Sequence, residues 1–390
     1  MTYQNGTQYE LWILRDDGTR LGVLDTVSGF TFTHVVNNTG HFRVEVVIPP
    51  AVPGLAAGRF ATGAPAIQAS WFAKDRRILF WRKPATGAMK LAFVGVIRRL
   101  RQSRDARGLH TFRVSGHDLT GFLRRRVIAY AAGSAQAAMT DQADDMLAAI
   151  VAQNLGSSAT NTARRFPSTA FSVAAPPAQG PSLTKGFSYR NVLDVLREIA
   201  DASREDGTFL FFGIVATTET TFEFQTRVGE WGRDRTSDVG NGLIFGEAFG
   251  NLANPVLDDD STDEVNFAYG LGRGEEAARE VQTSEDTTRS GASVYARAEA
   301  AANAVLESTA AGVADVADAR VQKGRPVVMF TADLLSVPGS EFGKDWDHGD
   351  RITATAFERQ FDCLIRATTV TVDDAGRETI APIIEALGLS

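Results

Sequence analysis

Cysteine and histidine are scarce in this sequence, which has only Cys363 and five histidines among 390 residues. One cysteine cannot form an internal disulfide, and zinc or iron–sulfur sites need several Cys or His ligands close together. The histidines occupy positions 34, 41, 110, 117 and 348, so no two are three or four residues apart. We therefore predict no cofactor and no metal site.

Long apolar runs are also missing. No stretch reaches the roughly 18 apolar residues that a membrane-spanning helix needs. Residues 1–12 lack the basic start and the apolar core of a secretory signal. We therefore expect no membrane span, and a protein that is made and kept in a cytosol-like compartment.

The small net charge of −7 conceals a division along the chain. Residues 1–130 contain 19 basic and 8 acidic side chains, whereas the remainder contains 21 and 39. Nucleic-acid binding would favour aromatic side chains among the cations or a polar recognition helix, and the basic clusters at 98–101 and 124–126 show neither. Because most of these cations are arginines, which suit defined ion pairs, we predict that they contact protein.

The first 120 residues are predicted to form short strands. Phe42, Val44 and Val46 recur at a spacing of two with charged residues between them, which is typical of a strand with one exposed face. A loop rich in Pro, Ala and Gly is predicted over 49–70. Several short strands separated by turn sequences indicate a small sandwich or barrel.

The middle of the chain is predicted to mix helices and strands. A helix capped by Thr140 and an amphipathic helix over 192–203 precede a β-hairpin within 209–228. The last third returns to strands, apart from an Ala-rich segment near 294–308 that is predicted to be a helix.

Two matching segments indicate a repeat. Ile97 lies 11 residues before Gly108, and Ile365 lies 11 residues before Gly376. An aspartate stands three residues before each of these glycines. This agreement predicts that one β unit occurs twice.

Three motifs that could carry chemistry are incomplete. The glycines at 270, 272 and 274 are followed by Glu275, where a dinucleotide-binding fingerprint needs another glycine. Residues 182–185 match a Ser-x-x-Lys pattern without its companion elements. The aspartates at 258–260 lack the ligand spacing of a calcium loop. Carboxylate pairs for glycoside hydrolysis need no fixed spacing, so the sequence singles out no catalytic residue and we predict no enzyme.

Several segments follow one another in a recognisable order. Gly116-His117-Asp118 precedes a short helix and the Arg-Val-Ile segment at 126–128. Residues 143–154, residues 266–299 and Gly349-Asp350-Arg351-Ile352 follow. In order and rough spacing these segments resemble those of phage tail hub proteins, which belong to the baseplate or tail tip of long-tailed phages. The resemblance covers nearly the whole chain.

The resemblance implies a mainly β fold with an α+β insert. It predicts a first tube-like β-barrel over 1–120 and an α+β insert domain over 121–235. A second tube-like β-barrel is expected over 236–390, with the helical excursion near 294–308. Three chains would form a homotrimeric, pseudo-sixfold hub.

The same resemblance implies a structural protein of the virion, assembled in the host cytoplasm. The expected ring joins the tail tube or distal tail protein to the tail-tip and fibre proteins. It surrounds a channel for the tape-measure protein and then for DNA, which passes without sequence-specific binding during host cell entry.

The charge division gives this ring a predicted interface. If the two barrels alternate around the ring, oppositely charged neighbours meet at every contact. The candidate interface residues are Arg98, Arg99, Arg101, Asp373 and Asp374. The channel is expected to be neutral to acidic, because a basic bore would retain the DNA that it must release.

Two alternatives stay open at this point. One is a tail-associated enzyme that hydrolyses peptidoglycan or surface polysaccharide from within the middle insert. The other is a carbohydrate-binding module in which Trp71, Trp81 or Trp231 stacks on sugars. Buried indole rings would argue against the second alternative.

Overall fold

The computed structural model describes residues 6–48, 67–106, 108–130, 134, 136–240, 242–305, 309–335 and 337–387. Strands hold 44% of the chain and helices 18%, which confirms the mainly β prediction. The described residues form two compact units. The larger unit comprises residues up to Pro255, apart from 205–207, together with Thr331–Ile384, and the smaller unit is built around Val256–Phe330.

Seven strands form the first part of the larger unit: β1 Gln8–Leu14, β2 Arg20–Val23, β3 Val27–Val35, β4 His41–Ile48, β5 Arg77–Lys83, β6 Lys90–Arg104 and β7 His110–His117. The predicted alternation holds in β4, where Phe42, Val44 and Val46 are buried. A 3-10 helix, Leu119–Arg125, follows β7. The loop predicted over 49–70 lies, up to residue 66, outside the described residues.

The middle segment mixes helices and strands: β8 Ala137–Gln142, α1 Ala143–Asn154, β9 Phe171–Val173, β10 Ser182–Phe187, α2 Val192–Glu205, β11 Leu210–Ala216 and β12 Phe222–Val228. The first helix begins at Ala143, so the cap predicted at Thr140 is wrong. Thr140 lies in β8 instead, and its hydroxyl oxygen is 3.0 Å from that of Thr184 in β10. The amphipathic helix and the hairpin are confirmed as α2 and β11–β12.

The remaining elements are β13 Asp234–Arg235, β14 Ile244–Gly246, β15 Leu252–Asp260, β16 Phe267–Leu271, β17 Val281–Glu285, α3 Thr287–Ser290, β18 Glu299–Asn303, α4 Ala310–Lys323, β19 Val327–Leu334, β20 Arg351–Ala356, β21 Arg359–Val372 and β22 Glu378–Ala386. The helix predicted near 294–308 is therefore wrong. The alanines of β18 favour a helix, but the parallel ladder with β16 supplies their backbone hydrogen bonds instead. The helix starts only after Thr309, whose side chain accepts the N–H of Gly312 at 3.1 Å.

The smaller unit places α4 against a three-stranded sheet of β17, β16 and β18. Ala268, Ala317 and Val321 form its buried core. Gly270 of β16 permits α4 to lie close to the sheet, because a Cβ at that position would be 2.4 Å from the carbonyl oxygen of Val313 in α4.

One fourteen-stranded sheet contains strands from two β regions of the chain. The first β region is β1–β7, and the second comprises β13–β15 and β19–β22. Its path is β15-β19-β22-β21-β3-β4-β7-β6-β5-β1-β2, with β20 beside β21 and with β13 and β14 on β20. The two regions join where β21 pairs with β3, from Ala367 opposite Val35 to Val372 opposite Phe30. The described strands thus form no closed barrel, which corrects the expectation of two tube-like barrels. The edge of β3 that a separate barrel would need for closure is hydrogen-bonded to β21.

The sheet nevertheless coils around a buried aromatic cluster. Phe32 of β3 contacts Phe80 of β5 and Phe93 of β6, with ring centroids 5.3 and 5.2 Å apart. Phe30 contacts Tyr9 of β1 at 4.9 Å. These strands are three to five places apart in the sheet, so their apolar faces meet only because the sheet curls. Side-chain packing, rather than a closed hydrogen-bond ladder, gives the barrel-like body.

A buried ion pair fastens the curled sheet. The Arg82 guanidinium of β5 binds the Glu378 carboxylate of β22 through Nε at 2.9 Å and Nη2 at 3.0 Å. Their side chains are only 3% and 1% exposed. The Tyr9 hydroxyl donates to Glu378 and accepts from Arg82 Nε, and Arg82 also donates to the carbonyl of Phe342. Residues from both β regions therefore share one neutralised polar cluster in the core.

The predicted repeat is confirmed as two matching hairpins, β6–β7 and β21–β22. The N–H of Gly108 donates to the carbonyl of Asp105, and that of Gly376 donates to the carbonyl of Asp373, each at 3.0 Å. Each aspartate carboxylate also accepts the N–H four residues later at 2.8 Å. Both glycines have a positive φ, of 80° and 74°, which explains their selection at this turn.

Candidate assembly surface and interior cavity

The three predicted interface arginines separate in β6. Nη1 of Arg98 forms an ion pair with Asp75 of the same chain. A register shift after Ile97 interrupts the ladder, and beyond it Arg99 and Arg101 are exposed on the same side of the strand. Within the part of the chain that the structure describes, neither has an ion-pair partner. Arg98 is thus engaged internally, while the other two are available to a partner.

Arg99 and Arg101 belong to a polar face that crosses five strands. Arg101 lies opposite Arg113 of β7, and Arg113 lies opposite Glu45 of β4, with which it forms an ion pair at 2.7 Å. We call this surface the polar sheet face, and its side chains are Thr371, Thr31, Arg43, Glu45, Arg113, Ser115, Arg99 and Arg101. The opposite side is buried in β3, β4, β7 and β21, whereas in this part of β6 Leu100 is half-buried and Gln102 is exposed.

The two predicted acidic residues lie in the turn after β21, and they differ in role. The Asp373 carboxylate accepts the N–H of Ala375 at 3.1 Å and forms an ion pair with Arg377 at 3.2 Å. The N–H of Arg377 and the guanidinium lower the pKa of Asp373. Asp374 is exposed. Asp373 therefore closes the turn, and Asp374 presents its charge outward.

The acidic turn and the basic residues stand at the same end of the sheet. Val372 pairs with Phe30, so the turn lies level with Gly29, which pairs with Glu45. Glu45 is in turn level with Arg101 through β7. Four strand spacings of about 4.8 Å separate β21 from β6, a distance of about 19 Å. At this end of the sheet, the acidic Asp374 after β21 and the basic Arg101 of β6 are thus four strands apart. A head-to-tail contact between copies would need such a separation of opposite charges.

A cavity of about 330 Å³ lies between the first β region, the β11–β12 hairpin and residues near 348. Its polar lining includes His34 and His348, whose rings stack in parallel with centroids 4.1 Å apart. His34 Nε2 is 2.9 Å from the carbonyl of Ala92, and His348 Nδ1 is 3.0 Å from an oxygen of Asp347. The indole N–H of Trp231 donates to His348 Nε2 at 3.4 Å. The stacked pair therefore joins three segments of the larger unit.

The surroundings shift the pKa values of several of these groups. Loss of solvent contact and the nearby His348 lower the pKa of His34 to about 3. Burial opposes ionisation of Asp347, but the hydrogen bond from His348 and the charges of both imidazoles lower its pKa to about 2. His34 is therefore neutral and Asp347 ionised near neutral pH.

Asp118 lines the same cavity, but its pKa is raised rather than lowered. Loss of solvent contact raises its pKa to about 7, although the backbone N–H groups of Gly40 and Gly121 favour the carboxylate. These donors lie 2.9 and 3.1 Å from its two oxygens. Asp118 thereby caps the 3-10 helix after β7 and ties it to the β3–β4 turn.

The polar groups that line the cavity hydrogen bond to neighbouring segments of the chain. The cavity's imidazoles, Asp118 and Trp231 hydrogen bond to other groups of the chain rather than converging on empty space. In the described ranges, no group of three His, Cys, Asp or Glu side chains could hold a metal ion. No helix found there is long and apolar enough to cross a membrane.

The tryptophans considered for sugar binding contact other residues of the chain. The Arg227 guanidinium lies 5.3 Å from the Trp231 ring, and the ring of Trp71 packs against Gly22. Trp81 is half-buried in the cavity wall. All three indole rings are half-buried rather than buried, so the carbohydrate-binding alternative stays open.

The comparisons agree with the class that this geometry defines, a mainly β protein with the fold of phage tail proteins. The 43 kDa tail protein of prophage MuSo2 from Shewanella oneidensis matches with a TM-score of 0.60 and 13% identity, over 97% of this chain and 98% of that chain. A tail protein from Neisseria meningitidis MC58 matches with a TM-score of 0.55 and 13% identity, over 98% and 97%. The half-lidded Francisella PdpA–VgrG complex matches with a TM-score of 0.54 and 7% identity, over 98% of this chain and 59% of that chain.

The chain belongs to the family of Siphovirus ReqiPepy6 Gp37-like proteins, whose model matches residues 10–384. No curated protein sequence matches it. Family membership confirms the predicted relationship to tail proteins of long-tailed phages. Together, the family and the fold support a structural role in a phage tail.

Proposed function

We propose that this protein is the structural hub of a phage tail tip or baseplate. In this proposal three copies form a pseudo-sixfold ring that joins the tail tube or distal tail protein to the tip and fibre proteins. The ring surrounds the channel for the tape-measure protein and for DNA. The observation that carries the proposal is the position of opposite charges on the two sides of one sheet end, in a family and fold of tail proteins.

Within the ring, Arg99 and Arg101 of one copy meet the acidic turn that carries Asp374 in the next. Their exposure and the lack of an ion-pair partner in the described chain support this contact. Arg98 and Asp373 have partners within the chain instead, Arg98 in Asp75 and Asp373 in Arg377 of its own turn. Heterologous contacts of this kind close into a ring when the rotation between copies permits it.

We propose a non-enzymatic role, which the hydrogen bonding of the cavity's polar groups supports. His34 stays neutral near pH 7, and its imidazole hydrogen bonds to the carbonyl of Ala92. Asp118, whose pKa is raised to about 7, has both carboxylate oxygens engaged by the backbone N–H groups of Gly40 and Gly121. A gel containing peptidoglycan tests this part directly, because cleared zones around the purified chain would favour the hydrolase alternative.

Sedimentation of the full chain over a range of concentrations tests the ring. We expect a trimer, and we expect Arg99→Glu/Arg101→Glu to dissociate it. Asp374→Arg combined with that variant should restore assembly, because the charges are then exchanged across the contact. Arg279→Glu is a matched control, since Arg279 is an exposed arginine outside this surface.

Two results would overturn the proposed interface. One is a trimer that persists unchanged in the charge-reversed variant. The other is an assembly whose number of copies is not a multiple of three, which a threefold ring does not allow.

A further inference from the structure

The smaller unit presents an unusual turn between α3 and β18. The N–H of Ala296 donates to the carbonyl of Ser293 at 3.2 Å, which closes a β-turn over these four residues. The N–H of Tyr295 also donates to the Ser293 hydroxyl at 3.2 Å. The two central side chains, Val294 and Tyr295, are 90% and 92% exposed. They are the most exposed large apolar side chains among the described residues.

These residues are poorly suited to that position by local preference. Central turn positions favour Gly, Pro, Asn, Asp and Ser, each for a backbone reason. Val294 and Tyr295 offer none of those advantages, and as exposed side chains they gain nothing from burial. A local choice that conflicts with both rules indicates a function outside the folded unit.

The smaller unit also holds this turn rigidly. The amide of the fully buried Asn266 donates to the carbonyl of Ala296 at 2.7 Å and accepts the N–H of Ala298 at 2.9 Å. Before the turn, Arg289 forms ion pairs with Asp286 at 2.9 Å and with Glu264 at 3.2 Å. Both flanks are therefore fixed, which lowers the entropy that would be lost on binding.

The charge of the smaller unit limits the kind of partner. Residues 256–330 contain 14 acidic and 7 basic side chains, a net charge of −7. An anionic membrane or a nucleic acid would be repelled by this surface. A protein surface with cations around an apolar pocket would be attracted. Residues 1–130 of the same chain, with 19 basic and 8 acidic side chains, have that charge.

We propose that the Val294–Tyr295 turn is a preformed anchor that binds an apolar pocket within the basic residues 1–130 of a second copy of this chain. Tyr295 suits this role, because tyrosine supplies a large contact area at a low cost in side-chain entropy. The inference rests on the proposed self-assembly, but it uses a surface separate from Arg99 and Arg101.

Photo-crosslinking of the full chain identifies the partner of the turn. A photoreactive benzoylphenylalanine replaces Tyr295, and isotopically labelled and unlabelled copies are mixed before irradiation. We expect cross-links between copies that join position 295 to peptides from residues 1–130. The same group at Arg279, exposed in the same unit, should give few such products. Cross-links only within one copy, or none, would overturn the proposal, as would cosedimentation with phosphatidylglycerol vesicles that requires Tyr295.

A paired binding measurement separates this inference from the ring interface. Val294→Ser/Tyr295→Ser should raise the Kd of self-association at least tenfold without changing the circular dichroism or melting temperature, because both side chains are exposed in the isolated chain. If Arg99→Glu/Arg101→Glu weakens association and the double serine variant does not, the anchor is wrong and the ring interface stands. If the reverse holds, the anchor stands and the arginine interface is wrong. A wild-type chain that is monomeric at all concentrations refutes both.

Discussion

The pair formed by Arg82 and Glu378 allows a sharp test of how the curled sheet is held. Glu378→Gln keeps the size of the side chain but removes its charge, so the Arg82 guanidinium stays buried without a counterion. Removing one partner from a buried ion pair typically costs about 3–5 kcal/mol, because the remaining charge has lost its solvent and its partner. The glutamine oxygen can still accept one hydrogen bond, so we expect the lower end, a loss of about 3 kcal/mol.

A double substitution distinguishes the penalty of an unpaired charge from the value of the pair itself. Arg82→Met/Glu378→Leu removes both charges and retains apolar volume, so it should cost less than the single change, about 1–2 kcal/mol. Most of this cost comes from the buried Tyr9 hydroxyl, which loses its hydrogen bonds to both residues. Tyr9→Phe is a second control, since it removes one bridging hydroxyl and should cost about 1 kcal/mol. Non-additivity between the sites then measures their coupling.

Denaturant unfolding followed by tryptophan fluorescence supplies the measurement. Trp346 is a suitable reporter, because it is buried and its ring centroid lies 5.0 Å from that of Phe342, whose carbonyl accepts from Arg82. A loss of about 3 kcal/mol lowers the folding equilibrium constant more than 100-fold and shifts the midpoint at constant slope. The reasoning is refuted if Glu378→Gln is neutral, or if the double variant is as unstable as the single one.

Four further predictions concern pH and close packing. The pKa of His34 is lowered to about 3, so folding favours its neutral form. The free energy of unfolding should therefore fall as pH decreases from about 6.5. His34→Gln should flatten that slope. The pKa of Asp118 is raised to about 7, so stability should instead be lost as pH rises from about 4 to 7, and Asp118→Asn should show a smaller change in melting temperature over that window. Gly116→Ala would put a Cβ 1.9 Å from the Val96 carbonyl oxygen and should lower the melting temperature sharply, whereas Gly270→Ala should raise hydrogen exchange mainly in the smaller unit, where it displaces α4.

Features that depend on neighbours in sequence were predictable. The turns at Asp105 and Asp373 are formed by hydrogen bonds over three and four residues, so their shared spacing was enough to indicate a repeated hairpin. The alternation in β4 and the apolar side of α2 are likewise local patterns. In each case the residues that decide the structure lie within one or two turns of chain.

Features that depend on distant partners were not predictable in the same way. The alanines of Glu299–Asn303 favour a helix, and only the ladder with β16 overrides that preference. His34 and His348 stack although they stand near opposite ends of the chain, and no pattern around either one signals the contact. Arg82 gave a partial signal, since a charged residue within the apolar pattern of β5 requires a buried counterion.

The uneven charge along the chain is partly used inside the fold and partly exposed at its surface. Part of it is used internally, because Arg82 of the basic segment pairs with Glu378 of the acidic one. Other charges stay exposed, as at Arg99, Arg101 and Asp374, and in the proposed ring these face a neighbour. Exposed ion pairs each contribute only about 0–1 kcal/mol and are screened by salt. These charges can therefore select which surfaces meet, but the affinity of a ring has to come from apolar burial, for which the Val294–Tyr295 turn is the preformed candidate.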